Sequence, residues 1–282
     1  MSQGVLRVAL IQMPSGPNPW RNAAYLEGCL QEAASSEPSL DLAVGVQGGI
    51  SSGPPLPEMN EMLGYLGDLA AYYGIYLLPG SMRVSSGESR GYLHQVPVFG
   101  PHGTLLDRYS RVILSPEEAA EGTVPGGDYC VFDIGQKMTR VGVMLGREAD
   151  YPEISRSLAL CGAEVLVRIC ADPACPPGEQ TCLDTVRAVE NQAFFLRVSA
   201  VGPGLAGGSA AIDPEAGQIC RAGSEAETRT VNLDLQQLRR CRDQGSWGRV
   251  RFLGSLLENP PPQPWAGREG HSPLAGRLGK QG

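Results

Sequence analysis

The sequence predicts an α/β protein, and two observations carry that prediction. In the first half, short apolar runs alternate with segments whose apolar residues recur every three or four positions, which is the pattern of β-α-β passages. In the second half the same alternation repeats, from the Val141 strand onwards. Each β-α-β passage places its helix on one face of a sheet through a right-handed crossover.

The elements follow in order. Val5 to Met13, VLRVALIQM, reads as a buried strand, and Pro14 to Pro19 as a loop. Asn22 to Ala34 is predicted helical, since Ala23, Leu26, Leu30 and Ala33 share one face. Asp41 to Gln47 is the second strand, opening into the turn-rich GGISSGPP. Pro57 to Tyr73 is the second helix, with Gly74 placed to end it, and Ile75 to Val84 returns as one strand. His94 to Phe99 and Thr104 to Ile113 flank the turn GPHG as a hairpin-like pair. SPEEAAEGTVPGG is a loop, and Tyr129 to Ile134 a short strand.

Beyond it, Pro152 to Cys161 and Glu179 to Phe194 are predicted helices, with strands at Glu164 to Ile169 and Phe195 to Val201. Gly207 to Asp213, Gly217 to Ala222 and Glu227 to Leu235 read as a meander, followed by a short helix from Leu235 to Arg242. The organisation is one domain over residues 1–257 and a Pro/Gly-rich tail over 258–282, whose composition supports no periodic element.

Composition narrows the function. The 23 Lys+Arg against 30 Asp+Glu give a formal charge of −7, which argues against a general nucleic-acid surface. The absence of a membrane-length apolar run or a signal-like start makes a cytoplasmic protein the expectation. The eight cysteines are then expected as reduced thiols. Cys170, Cys175 and Cys182 lack the paired spacing or neighbouring histidine of a zinc site, so neither metal nor cofactor is expected.

The most informative stretch is Thr139 to Glu153, TRVGVMLGREADYPE. A buried strand ends at Gly146 and a helix begins at Pro152. Such a turn is where many α/β enzymes present a nucleophile, because helix N–H groups there face a developing anion. Gly146 offers no side chain.

With VALIQMPSG, LDLAVGVQ, GYLHQVPVFGPHGTLLDRYSRVIL, GVMLGREADYPE, CGAEVLV, VRAVENQAFFLRVSAVG, GGSAAIDPEAGQI and ETRTVNLDLQQLRR in this order, the chain resembles the carbon–nitrogen hydrolase superfamily, the nitrilase-like amidases, over roughly residues 5 to 245. The resemblance implies a four-layer α-β-β-α sandwich whose subunits pair. It also implies a cysteine nucleophile, a glutamate base and a lysine that stabilises the tetrahedral anion. Those positions fall on Gly146, Gln47 and Arg111. The aromatic and acidic residues that usually follow the cysteine become Arg147 and Glu148, an asparagine becomes His94, and a histidine becomes Ile113.

Three readings follow. The leading expectation is a catalytically silent nitrilase-like protein acting as an assembly subunit or protein-binding partner. A second is a small-anion binding module built from Gln47, Arg111, Arg147, Glu148 and His94, against the plainer reading that the two arginines pair with Glu117, Glu118 or Glu148. A third is an amidase with relocated residues, for which Cys170 and Cys175 are the candidate displaced nucleophiles. A homodimer is expected through the two helices of the second half, where Ala159, Ala188 and Ala193 are small enough for close approach and Trp265 of the tail would gain from burial.

Overall fold

The computed structural model describes residues 4–55, 59–87, 91–173, 179–246 and 252–258. The first half runs β1 (Val5–Gln12), α1 (Pro19–Ser36), β2 (Leu42–Val44), α2 (Met59–Tyr73), β3 (Tyr76–Leu78), β4 (Met82–Ser85), β5 (Tyr92–Phe99), β6 (Leu105–Ser110), a short α3 (Pro116–Ala120) and β7 (Cys130–Ile134). The second half runs β8 (Thr139–Leu145), a 3-10 turn (Gly146–Asp150), α4 (Pro152–Leu160), β9 (Val165–Cys170), α5 (Glu179–Asn191), β10 (Phe194–Ser199), β11 (Ala210–Ile212), β12 (Gln218–Arg221), β13 (Glu227–Asp234), α6 (Leu235–Gln244) and α7 (Phe252–Glu258).

Two sheets result. One has the order β13-β1-β2-β3-β5-β4 with β6 added beside β5; the other has the order β12-β11-β10-β9-β8-β7. The centre of each is parallel: β1, β2 and β3 in one, β8, β9 and β10 in the other. Leu10, Val44 and Val98 of the first sheet share one core with Val143, Val167 and Leu196 of the second. Helices α1 and α2 cover the outer face of the first sheet, and α4 and α5 that of the second. The molecule is therefore the expected α-β-β-α sandwich. Among the described residues no helix is long and apolar enough to cross a membrane.

Several sequence expectations are corrected. Ile75 to Val84 is two strands, because the chain turns at Gly80 (φ +112), where a Cβ would lie 2.4 Å from the Val46 carbonyl oxygen. The segment after Ile113 holds α3: the Ser115 side chain accepts from the Glu118 N–H while the Glu118 carboxylate accepts from the Ser115 N–H, a reciprocal cap that starts a helix at Pro116. The predicted meander is divided. β11 and β12 extend the second sheet, whereas β13 crosses to pair antiparallel with β1, Glu227 opposite Gln12 and Asp234 opposite Val5. Phe194 opens β10 instead of closing α5, since the chain reverses at Gln192 (φ 44).

The proposed small-residue docking face is also corrected. Ala159, Ala188 and Ala193 are buried within their own subunit, as are Ile154 and Leu158; the exposed apolar residues on these helices are Leu160 and Val186. The tail from residue 259, Trp265 included, lies outside the described residues.

Candidate active site

The parallel strands of both sheets deliver their C-terminal ends to one cleft, the usual place for a site in an open α/β sheet. Gln47 follows β2, Gly146 follows β8, and Asp172 follows β9. Arg111 leaves the end of β6, its N–H donating to the His94 carbonyl (3.0 Å) and its carbonyl accepting from Gly126 (2.7 Å).

The Arg111 side chain decides the character of this cleft. It is only 5% exposed, and its Nη2 donates to the Leu145 carbonyl (3.0 Å) and, at 3.4 Å, to Gln47 Oε1. Nη1 pairs with Glu118 Oε1, while Nε is buried without a hydrogen-bond partner. Gly146 has φ +62, and a Cβ built there would lie 1.6 Å from Arg111 Nη2. The guanidinium thus stands where a side chain of residue 146 would begin. Burial lowers the Arg111 pKa from its ordinary value, and nearby Glu148 opposes that shift.

Glu148 is structural rather than ligand-facing. It is 1% exposed; Oε1 accepts from the Val112 (2.7 Å) and Ile113 (3.1 Å) N–H groups, and Oε2 from Leu145 N–H and the Tyr109 hydroxyl. One carboxylate therefore ties the exit of β6 to the turn after β8. His94 is likewise turned to structure: Nε2 lies 2.7 Å from the Ser81 hydroxyl, which also accepts from Gly48 N–H. Burial lowers its pKa to about 3, with Arg111 and Arg83 adding to the shift, so the ring is neutral. The Ser81–His94 pair is no nucleophile–base dyad, because Ser81 is fully buried and does not line the cleft.

Arg147 points outward and donates Nε to Asp150 Oδ2 (2.7 Å). Cys170 is fully buried, and burial raises its thiol pKa to about 12, so it supplies no thiolate. Cys175 lies outside the described residues. Of the five proposed ligand-binding residues, Gln47, Arg111 and Arg147 border the cleft; Glu148 and His94 do not. The proposed five-residue set is corrected in two members, because the Glu148 carboxylate and the His94 ring are spent on structural hydrogen bonds.

The cleft itself is open, with a volume of about 460 Å³. Ile113, Leu114, Pro116, Tyr151, Ala171 and Pro173 supply apolar wall, and Glu118, Asp150 and Asp172 supply carboxylates. In the sequence Glu118 stands out only as a salt-bridge partner, and Asp150 and Asp172 carry no local signal. The signal for Glu118 was present in SPEE, a helix-start pattern that would have fixed it beside Arg111.

Beneath the cleft lies a buried ionic cluster. Arg168 (2% exposed) donates Nε to the Gly146 carbonyl (2.8 Å) and Nη2 to Asp172 Oδ1 (3.0 Å). Asp184 lies 3.8 Å from Arg168 Nη1 and 3.1 Å from Arg197 Nε, ion-pair distances without hydrogen-bond alignment. Burial raises the Asp184 pKa to about 6, against the pull of the two guanidiniums. Arg168 keeps Asp172 as a partner, so Asp184 is the carboxylate on which the buried Arg197 depends.

A family model described as carbon-nitrogen hydrolase matches residues 7–243. The chain belongs to the carbon–nitrogen hydrolase family. An (R)-stereoselective amidase of a Pseudomonas species is 34% identical over 170 residues, which are 57% of this chain and 60% of that enzyme; the chain thus spans under two thirds of that relative's length. The Xenopus laevis omega-amidase NIT2-B is 28% identical over 199 residues, 66% of this chain and 71% of that protein. Among solved structures, Saccharomyces cerevisiae Nit3, of branch 10 of the nitrilase superfamily, superposes with a TM-score of 0.79 at 21% identity, covering 88% of this chain and 97% of that one. These findings overturn the expectation of a silent assembly subunit: the curated relatives of this chain are named as amidases.

Proposed function

We propose that the chain is an amide hydrolase that attacks small amides with water instead of with a side-chain nucleophile. The observation that carries this reading is the Arg111–Glu118 pair at the edge of an open cleft beside Gly146. Glycine cannot form a covalent intermediate, and the amide of Gln47 has no useful proton affinity near neutrality. The cleft nevertheless retains a cation for a developing oxyanion and a carboxylate for a proton. The amidase names of the relatives support the same bond as target.

A water oxygen attacks the amide carbon while Glu118 takes the water proton. The Arg111 Nη1 proton not taken by Glu118 hydrogen-bonds to the tetrahedral oxyanion. Collapse breaks the carbon–nitrogen bond, and the leaving nitrogen receives the proton from Glu118, giving a carboxylic acid and ammonia. Removing the Glu118 charge should lower kcat by about two to four orders of magnitude, the usual range for a general base. The test is ammonia release from a panel of small aliphatic amides by the parent and by Glu118→Gln. Release that Glu118→Gln abolishes, with both proteins melting at similar temperature, supports the reading. No release from any amide, or release indifferent to Glu118→Gln, rejects it.

A further inference from the structure

We infer that this site takes small amides whose remote end carries an ammonium group, in preference to amides with a carboxylate there. The inference rests on the amide-hydrolase reading for the bond attacked and on the charges of the cleft for the rest.

Every arginine at the cleft already has its carboxylate. Arg111 holds Glu118, Arg147 holds Asp150, and Arg168 holds Asp172. Arg168 also spends its Nε on the Gly146 carbonyl. A carboxylate arriving with a ligand must displace one of these internal partners and leave it unpaired in a half-enclosed space, a costly exchange for a charged group.

A cation meets the opposite situation. A smaller cavity of about 140 Å³ adjoins the main cleft, shares Arg147, Asp150, Asp172 and Pro173 with it, and adds Arg168, Glu179, Gln180 and Leu183. Glu179, at the start of α5, has no arginine or lysine partner among the described residues, and Asp150 engages Arg147 through Oδ2 alone. Across both cavities four carboxylates, Glu118, Asp150, Asp172 and Glu179, face three guanidiniums, an excess of one negative charge. The excess lies at the far end from Arg111 and Glu118, where the amide is bound. The apolar wall of Ile113, Leu114 and Tyr151 lies along the main cleft and suits a short methylene chain.

Three ligands of one chain length separate the cases: δ-aminovaleramide, valeramide and glutaric acid monoamide, titrated into the full chain by calorimetry at low salt. Affinity is expected to fall in that order, with about tenfold or more between the first and the last. Added salt should narrow the gap. Glu179→Gln, a change at an exposed residue, should also narrow it while leaving valeramide affinity unchanged. Equal affinities, tightest binding of the monoamide, no binding by any of the three, or a gap that Glu179→Gln leaves intact would each overturn the inference. Ammonia release is read on the same samples. Release with a reversed affinity order rejects the charge preference and keeps the hydrolase; the expected order without release keeps the preference and rejects the hydrolase.

Discussion

Gly146→Cys is expected to unfold more readily than the parent and to gain no covalent turnover. Two costs fall on the same residue. At φ +62 any side chain is strained by about 1 to 2 kcal/mol. The new Cβ would also lie 1.6 Å from Arg111 Nη2 and 2.9 Å from both Arg111 Cζ and Gln47 Oε1. The guanidinium must therefore leave its position, breaking its bond to the Leu145 carbonyl and disturbing its pairing with Glu118. A total loss of about 2 to 4 kcal/mol is expected in chemical denaturation. The thiol would lack a base, because Gln47 cannot take its proton. Changing Arg111→Lys and Gln47→Glu together with Gly146→Cys removes the fork of donors from the crowded position and supplies a carboxylate. Iodoacetamide labelling at residue 146 should then become rapid, while the single variant labels slowly or unfolds. A single Gly146→Cys variant as stable as the parent would show that Arg111 moves aside freely, against the packing described.

The contrast between residues 146 and 111 also shows what the sequence can disclose. The strand ending at Gly146 was legible, because Val141, Val143 and Leu145 carry a local apolar pattern and glycine stops it. So were α1, α2 and α4, whose buried apolar faces recur at helical spacing, whereas α5 buries Asp184, Arg187, Ala188 and Asn191, a mostly polar face. The occupation of the vacant nucleophile position by Arg111 was not legible, since the two residues are 35 apart and meet only when β6 of one sheet ends beside β8 of the other. The crossing of β13 to β1 was hidden for the same reason: Glu227 to Asp234 looks locally like the next turn of a meander, and only the free edge of β1 draws it away. Glu118 stands between these cases. Its local signal, Ser115 followed three residues later by a glutamate, is a helix start, but its pairing with Arg111 is tertiary.

His94 gives the protein an acid sensitivity that one substitution should remove. Its folded pKa is lowered from 6.5 to about 3, by burial first and then by the Arg111 and Arg83 charges facing it. The folded state therefore keeps the imidazole neutral, while the unfolded chain takes up a proton below 6.5. The contribution is fully present above 6.5 and is lost as pH falls from there toward 3. At about pH 5 the loss relative to neutrality amounts to about 2 kcal/mol for this group alone. Asp184 works in the other direction: its pKa is raised from 3.8 to about 6, so its contribution is present below 3.8 and is lost as pH rises through 6. A single profile of the parent mixes the two. The difference between parent and His94→Gln isolates the histidine, because Asp184 is common to both. Urea unfolding at neutral and mildly acidic pH should show the parent losing about 2 kcal/mol more than His94→Gln over that interval. Glutamine keeps a hydrogen-bonding group near Ser81 and cannot acquire a charge. Parallel profiles for the two proteins would mean that the ring is protonated in the folded state at that pH, and that the Arg111 and Arg83 charges do not reach it.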